Sequence, residues 1–290
     1  MSSQMKTSNT SSITPKTIEV DKENIDMYFA SESSIWNNIY QKEDVYSVIH
    51  QDRRSTSLQY IKGLPLPQHP HILEIGCGAG LTSVDLARLG YTIEAVDRVE
   101  DMIDLTRQNA IKFGVEEQIH TGVMDASNLE FPDQTFDLVI ALGVVPWLPD
   151  LMKALNEISR VLVPGGFVLI NMDNRWRLNH VLDPIDFPPF SGLKANARTF
   201  LEKARLRKFS SAPRPQRHTI KEFDTLLESV SLVKMKHRMI GFGPFSFLKI
   251  PLFRGTFGIQ LHRYLQNAAD HGIPLICSTG SQYLVLAQKK

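Results

Sequence analysis

An alternating run of strands and helices from His71 to Met172 predicts an α/β fold built on a parallel sheet. Two more observations sharpen that expectation. A glycine-rich turn, Gly76-Cys77-Gly78-Ala79-Gly80, carries the first strand into a helix, and aspartates close the second and third strands. The chain has 290 residues, 42% of them hydrophobic, which is ample for a full core and far from the composition of a disordered chain.

Residues 1–20 read as a disordered tail, rich in Ser and Thr with almost nothing apolar to bury. Residues 21–70 read as an N-terminal helical cap, with helices over 22–40 and 42–62 and a stiff linker made by Pro65, Pro67 and Pro70. Tyr28, Phe29, Ile35, Trp36, Ile39 and Tyr40 supply its apolar surface. Residues 71–173 form the predicted core. Ile72–Ile75 is a short strand, and Leu81–Leu89 a helix ended by Gly90. Tyr91–Val96 runs to Asp97, and the next helix turns Val99, Met102, Ile103, Ala110 and Phe113 to one side before Gly114. Gln118–Met124 ends at Asp125, and Phe136–Leu142 is apolar enough to be buried on both faces. A helix lined by Leu151, Leu155, Ile158 and Leu162 stops before Pro164-Gly165-Gly166, and Phe167–Met172 is the fifth strand.

Residues 174–218 interrupt the alternation. Residues 219–290 resume it with the capping box Thr219-x-x-Glu222, a helix turning Phe223, Leu226, Leu227 and Val230 inward, and a final strand, Gln282–Gln288. Alternation of Val233, Met235, His237 and Met239 with Lys234, Lys236 and Arg238 predicts a half-exposed strand before it.

Charge and cysteine content exclude several classes. Lys and Arg number 32 against 31 Asp and Glu, a net charge of +1 that argues against whole-molecule nucleic-acid binding. Two cysteines cannot make a disulfide scaffold. The N-terminus lacks the apolar core of a signal peptide, and the most apolar stretch, around Leu138–Leu148, is too short to span a membrane. The expectation is a soluble, cytoplasmic protein. No His/Cys spacing fits a metal site, and no Gly-x-Ser-x-Gly elbow supports hydrolase chemistry.

A strand, a glycine turn and a helix start make a device for anions and nucleotides, since glycines allow tight turning and helix N–H groups point at the ligand. The dinucleotide fingerprint is similar, but its third glycine falls where this chain has Leu81. Asp97, about twenty residues past the turn, stands where a carboxylate accepts both hydroxyls of a ribose. Asp125 is placed to take the exocyclic amine of adenine, with the Ala126 N–H on a ring nitrogen. The alternative, that Asp125 opens the turn Asp125–Asn128, stays open.

Together the segments Leu73–Gly80, Ala95–Asp97, Met124–Ala126, Phe131–Ala141 and Arg160–Gly166 resemble the class I S-adenosylmethionine-dependent methyltransferases. The nearest branch is the small-molecule one that includes the ubiquinone/menaquinone-biosynthesis enzymes. The resemblance covers residues 71–172 and, more weakly, Thr219–Ile240 and Gln282–Gln288. It implies a Rossmann-like seven-stranded mixed sheet, the last strand antiparallel, with helices on both faces. It also implies S-adenosyl-L-methionine as cofactor, its methionine part held by Glu74, Gly76, Gly78 and Gly80, its ribose by Asp97, and its adenine by Asp125 and Ala126. Met102 and Leu142 complete the expected cofactor-binding set, Leu142 beside the sulfonium.

Methyl transfer is an in-line displacement, so the protein mainly supplies alignment and an enclosed site. Many relatives carry a histidine just after the fourth strand, where this chain reads Gly143-Val-Val-Pro-Trp-Leu148. His180, His218 and Asp173 are the remaining catalytic candidates, each also explicable as an ordinary surface or capping residue. Trp147 fits either a cofactor contact or the core, and Arg53 or Arg54 is placed to reach the cofactor carboxylate.

Two insertions shape the expected substrate side. Residues 174–218 form a basic lid, in which Lys194–Arg217 carries Lys194, Arg198, Lys203, Arg205, Arg207, Lys208, Arg214 and Arg217 against the single acid Glu202. It reads either as a solvated helix face or as a rim attracting a phosphate, a carboxylate or an anionic membrane. Residues 241–280 carry Phe242, Phe245, Phe247, Phe253 and Phe257, then a helix with Phe257, Leu261, Tyr264, Leu265 and Ala268 on one face. Core packing accounts for most of these aromatics; the rest, with Trp36, Tyr40 and Tyr46, would cover the acceptor. The sequence thus reads as a methyltransferase for a small, fairly apolar acceptor with an anionic group, methylated at oxygen, with nitrogen and carbon as the lesser alternatives. The alternatives are an RNA methyltransferase, a non-catalytic S-adenosylmethionine-binding protein and, more distantly, a nicotinamide oxidoreductase.

Overall fold

Three helices precede the first strand in a computed structural model that describes residues 22–39, 42–190 and 213–290. They are α1 (Lys22–Ser31), α2 (Ser33–Asn38) and α3 (Val45–Lys62), the last opened by Asp44, whose carboxylate accepts the Ser47 N–H at 3.0 Å. The tail, Tyr40 and most of the basic segment, from Lys194 to Lys208, lie outside the described residues.

The alternation then unfolds in order: β1 (Ile72–Ile75), α4 (Leu81–Arg88), β2 (Ile93–Asp97), α5 (Glu100–Phe113), β3 (Ile119–Val123), β4 (Phe136–Ala141), α6 (Leu151–Val161) and β5 (Leu162–Asp173). The short α7 (Leu178–Val181) follows. After the undescribed stretch come α8 (Ile220–Ser229), β6 (Leu232–Ile240), the hairpin β7 (Phe245–Phe247) and β8 (Ile250–Leu252), α9 (Gly255–Asp270) and β9 (Gln282–Lys289). The Thr219–Glu222 capping box is formed in both directions.

Seven strands make one sheet in the order β3-β2-β1-β4-β5-β9-β6. The first five are parallel neighbours, and β9 enters antiparallel between β5 and β6. Alternate residues of each strand face opposite layers. Leu73, Ile75, Val139, Val168 and Ile170 pack with α6 and α8, whereas Ile72, Ile93, Ala95, Leu138 and Leu169 pack with α3, α4 and α5. This is the expected sheet with helices on both faces. No described helix is long and apolar enough to cross a membrane.

Four local expectations need correction. Pro164-Gly165-Gly166 does not precede β5 but lies inside it, because a bulge between the Phe136 and Leu138 pairings accommodates Gly165 at φ +80°. The alternation expected of β6 breaks at Met235, where a register shift between Lys234 and Lys236 leaves it unpaired and exposed. The inner face of α9 is Gly258, His262, Gln266 and Ala268, while Phe257 and Tyr264 are exposed. Backbone groups where β6 leaves the sheet need partners, and apolar side chains cannot supply them. The Phe242 N–H donates to His262 Nδ1 at 3.1 Å, and Gln266 joins Gly241 N to Met239 O. Finally, the aromatic insertion divides. Phe242 and Phe245 are buried, and Phe247, Phe253 and Phe257 stand exposed on the outer surface.

Candidate functional site

The carboxyl ends of β1, β2, β4 and β5 open into one cavity of about 580 Å³, the size of a small-molecule site. Its floor is the glycine turn. Gly76, Gly78 and Gly80 all have positive φ, at +65°, +56° and +70°, a backbone conformation that strains other residues. Their surroundings differ. A Cβ at Gly76 would lie 2.4 Å from Val144 Cγ2 and one at Gly80 2.5 Å from Thr106 Cγ2, yet around Gly78 nothing lies within 4 Å. Gly76 and Gly80 therefore serve close packing, and Gly78 keeps the cavity floor open.

Asp97 at the end of β2 fastens this turn. One carboxylate oxygen accepts the Gly78 N–H at 2.9 Å and the other the Val99 N–H at 3.0 Å. Burial raises its pKa against these two hydrogen bonds. Glu74 on β1 is buried and bonded to the Ser83 hydroxyl; burial pushes its carboxyl up to about 7. Met102, Ala126 and Leu142 line the cavity beside these groups, so the predicted cofactor residues other than Gly80 share one space.

Asp125 is differently engaged. One oxygen accepts the Ser127 N–H at 2.8 Å, and the other meets the Lys22 ammonium of α1 at 2.7 Å. Burial works against its charge, but Lys22 and the Ser127 N–H hold its carboxyl below the usual range. Arg98 ties the same helix down through Asp26 at 2.6 Å. The turn Asp125–Asn128 is also formed, so Asp125 opens that turn while still lining the cavity.

The far wall comes from outside the core. Tyr28 and Phe29 from α1 meet Trp147 from the β4 loop, with Trp147 stacked on Tyr28 at 5.9 Å and edge-on to Phe29 at 5.1 Å, and Trp36 from α2 packs on Phe29 at 5.8 Å. Tyr46, His50 and Arg53 from α3 continue the wall with Asp173, Arg177 and Gln282. His50 is buried and its Nδ1 donates to the Tyr46 carbonyl at 2.9 Å, which leaves Nε2 as the atom with the lone pair. Burial, reinforced by Arg53, pushes its pKa down to about 3. Of the three catalytic candidates, only Asp173 lines the cavity, 3.4 Å from Arg177. His180 faces Asp186 at 3.9 Å, and His218 pairs through its backbone with Asn174. Burial lowers the pKa of both, His180 to about 3.

Sequence reasoning did not single out His50, Arg177 or Gln282. A signal for the first was present, since Tyr46, His50 and Arg53 follow at four and three residues on one stripe of α3. No group of three His, Cys, Asp or Glu side chains among the described residues is gathered to hold a metal ion. The aromatic insertion sends only Gly243 and Pro244 to the cavity, so its exposed phenylalanines form no cover over it.

Residues 73–170 match the family described as methyltransferase domain. The chain is 30% identical over 107 residues to a sterol 4-C-methyltransferase of Caenorhabditis elegans, a stretch covering 37% of this chain and 32% of that protein. It is 25% identical over 163 residues to a ubiquinone biosynthesis O-methyltransferase of Coxiella burnetii, covering 56% of this chain and 67% of the relative. These matches span 32% and 67% of the two relatives' lengths. The fold is similar to that of the magnesium protoporphyrin IX methyltransferase of Synechocystis PCC 6803, a structure with bound S-adenosylhomocysteine. That likeness has a TM-score of 0.60 and 15% identity, covering 93% of this chain and all of the other.

Proposed function

We propose, on the premise that residues 73–170 are a methyltransferase domain, that this chain moves a methyl group from S-adenosylmethionine to a small-molecule acceptor. The observation that carries this is the open floor at Gly78 fastened by Asp97 at the strand ends. The residues present fit the cofactor. Gly78 leaves room for it, Asp97 is the ribose partner, and Glu74 with the turn holds the methionine part. Arg53, whose guanidinium lies against Gly143 just after Leu142, is the partner for the methionine carboxylate. Asp125 takes the adenine amine once it releases Lys22, and Ala126 offers the adjacent N–H. Leu142 and Met102 supply apolar contact.

When bound, the cofactor supplies a methyl group already activated on a sulfonium. The chain's own residues then align the acceptor and exclude water. Tyr28, Phe29, Trp36 and Trp147 enclose an apolar body. His50 Nε2 accepts a hydrogen bond from the acceptor's hydroxyl; its depressed basicity suits it to orienting that group rather than removing its proton. We favour oxygen as the methylated atom, with the ubiquinone biosynthesis O-methyltransferase in support. The acceptor combines this apolar body with an anionic group. A second reading, cofactor binding without methyl transfer, is favoured by one observation: neither His180 nor His218 lines the cavity.

The test is incubation with methyl-labelled S-adenosylmethionine and a small-molecule cell extract, followed by mass spectrometry. Label in an organic metabolite, with S-adenosylhomocysteine formed, is expected. Tight cofactor binding without turnover would favour the second reading, and absence of binding would refute both.

A further inference from the structure

The acceptor side of the cavity carries more positive charge than it balances. Arg53 and Arg177 line it, and the charge of Arg217, which is not among the lining residues, acts on Arg177 and Asp173. Lys249 is bonded to Asp186, which also faces Arg177. Counting Lys249 together with both of its carboxylate neighbours, four cations face three carboxylates, Asp173, Asp183 and Asp186.

Hydrogen bonding shows the same deficit. The Nε–H groups of Arg53, Arg177 and Arg217 are buried and have no partner among the described residues. Arg53 as a whole is 7% exposed. An unpaired buried donor costs about 1–3 kcal/mol, more when it is charged, so native chains seldom keep several together unless something else satisfies them. Burial also lowers the pKa of Arg177 and, with Arg177 beside it, takes Arg217 down to about 10. Nothing in the core requires this arrangement: Arg177 and Arg217 flank the chain where it leaves and rejoins the α/β alternation.

We propose that Arg177, backed by Arg217, is a subsite for an anionic group on the acceptor, a carboxylate or a phosphate monoester. The inference rests on the methyl-transfer reading for the word acceptor, but the subsite stands on the arginines themselves. Asp173 orients the Arg177 guanidinium from one side at 3.4 Å. Asp173 engages one terminal nitrogen of this cavity-lining guanidinium, and the other terminal donors are left for the paired oxygens of such an anion. Tyr46 adds a phenolic hydroxyl donor on the same wall, protonated at neutral pH as a phenol ordinarily is. The aromatic wall of Tyr28, Phe29, Trp36 and Trp147 then holds the apolar body that carries the anion. The acceptor class is accordingly an aromatic or otherwise apolar acid.

The experiment is a ligand-observed NMR titration of the full chain saturated with S-adenosylhomocysteine, using 4-hydroxybenzoate, its neutral methyl ester and phenyl phosphate. We expect the two anions to bind at least about tenfold more tightly than the ester, a difference of roughly 1.4 kcal/mol. Arg177→Gln should erase that preference and leave the S-adenosylhomocysteine Kd within about twofold. Arg217→Gln, outside the cavity lining, should weaken the preference in part and serves if the first variant does not fold. Equal affinity for acid and ester overturns the subsite. Equal loss of S-adenosylhomocysteine and anion affinity in Arg177→Gln overturns it too, by giving the arginine to the cofactor. A preference for phenyl phosphate alone selects the phosphate class, and one for both anions the shared chemistry. If S-adenosylhomocysteine does not bind the wild type, the methyl-transfer reading fails. The acid-against-ester comparison on the free protein then decides the subsite by itself.

Discussion

Replacing Gly78 by alanine separates a ligand cradle from a folding constraint. At φ +56° the alanine is strained, which costs roughly 1–2 kcal/mol for a left-handed residue. No heavy atom lies within 4 Å of the new methyl group, so no packing penalty adds to the strain. For a domain of this size that loss lowers the unfolding midpoint by roughly 2–8 °C. The methyl group does, however, enter the cavity that Gly78 lines. Overpacking a filled site costs about 1–3 kcal/mol, which is roughly a 5- to 150-fold rise in Kd. Isothermal titration with S-adenosylhomocysteine, beside thermal unfolding of the free protein, measures both quantities. Gly76→Ala and Gly80→Ala are the controls. Their methyl groups would meet Val144 Cγ2 at 2.4 Å and Thr106 Cγ2 at 2.5 Å, so they should destabilise the free protein considerably more. A folded Gly78→Ala that binds within twofold of wild type would refute the cradle. A stability loss equal to that of Gly80→Ala would refute the claim that space, not strain, separates the two glycines.

Three other outcomes follow from the same geometry. Asp97→Ala removes charge-assisted bonds worth about 1.5–3 kcal/mol, so the calorimetric Kd for S-adenosylhomocysteine should rise roughly 10- to 100-fold. It should also destabilise the free protein, because the Gly78 and Val99 N–H groups lose their acceptor. Glu74, raised from 4.5 to about 7, keeps its proton in the folded state after the unfolded chain has lost it. The folded state then binds more protons, so denaturant-measured stability should fall between those two pH values, by up to about 1.4 kcal/mol per unit. Glu74→Gln should flatten that slope; an unchanged slope would assign it to another group. Lys22→Ala frees Asp125 from a pair that is half-exposed on the lysine side and so worth only about 0.2–1 kcal/mol. If Asp125 serves adenine, S-adenosylhomocysteine should bind up to about fivefold more tightly, and weaker binding would contradict that role.

How much was readable beforehand depended on whether a residue's role is local. The glycine turn, Asp97 and the Thr219 cap are strand-turn-helix devices whose residues are close in sequence, so spacing alone located them. The acceptor wall is not of that kind. Arg53 and Gln282 come within 3.5 Å of each other across 229 residues of chain, and no periodicity in either segment refers to the other. Alternation also misled where a bulge intervened, as at Met235. The α9 face escaped for a related reason. Its inward side chains, His262 and Gln266, are polar because they satisfy backbone groups at the end of β6, and a search for apolar periodicity passes over such positions.

The place of β9 in the sheet has a consequence for how the chain is made. β1 to β5 can pair with neighbours already synthesised, but β6 cannot join them, since its one partner in the sheet is β9. Until Gln282–Lys289 has emerged, β5 keeps one open edge and the nine residues of β6 have no strand beside them. Such edges recruit other chains. β9 also brings Gln282 to the cavity, opposite Asp173 in the register. Closure of the sheet and completion of the acceptor wall are therefore one late event, and damage to the last described strand should be felt first as aggregation of newly made protein.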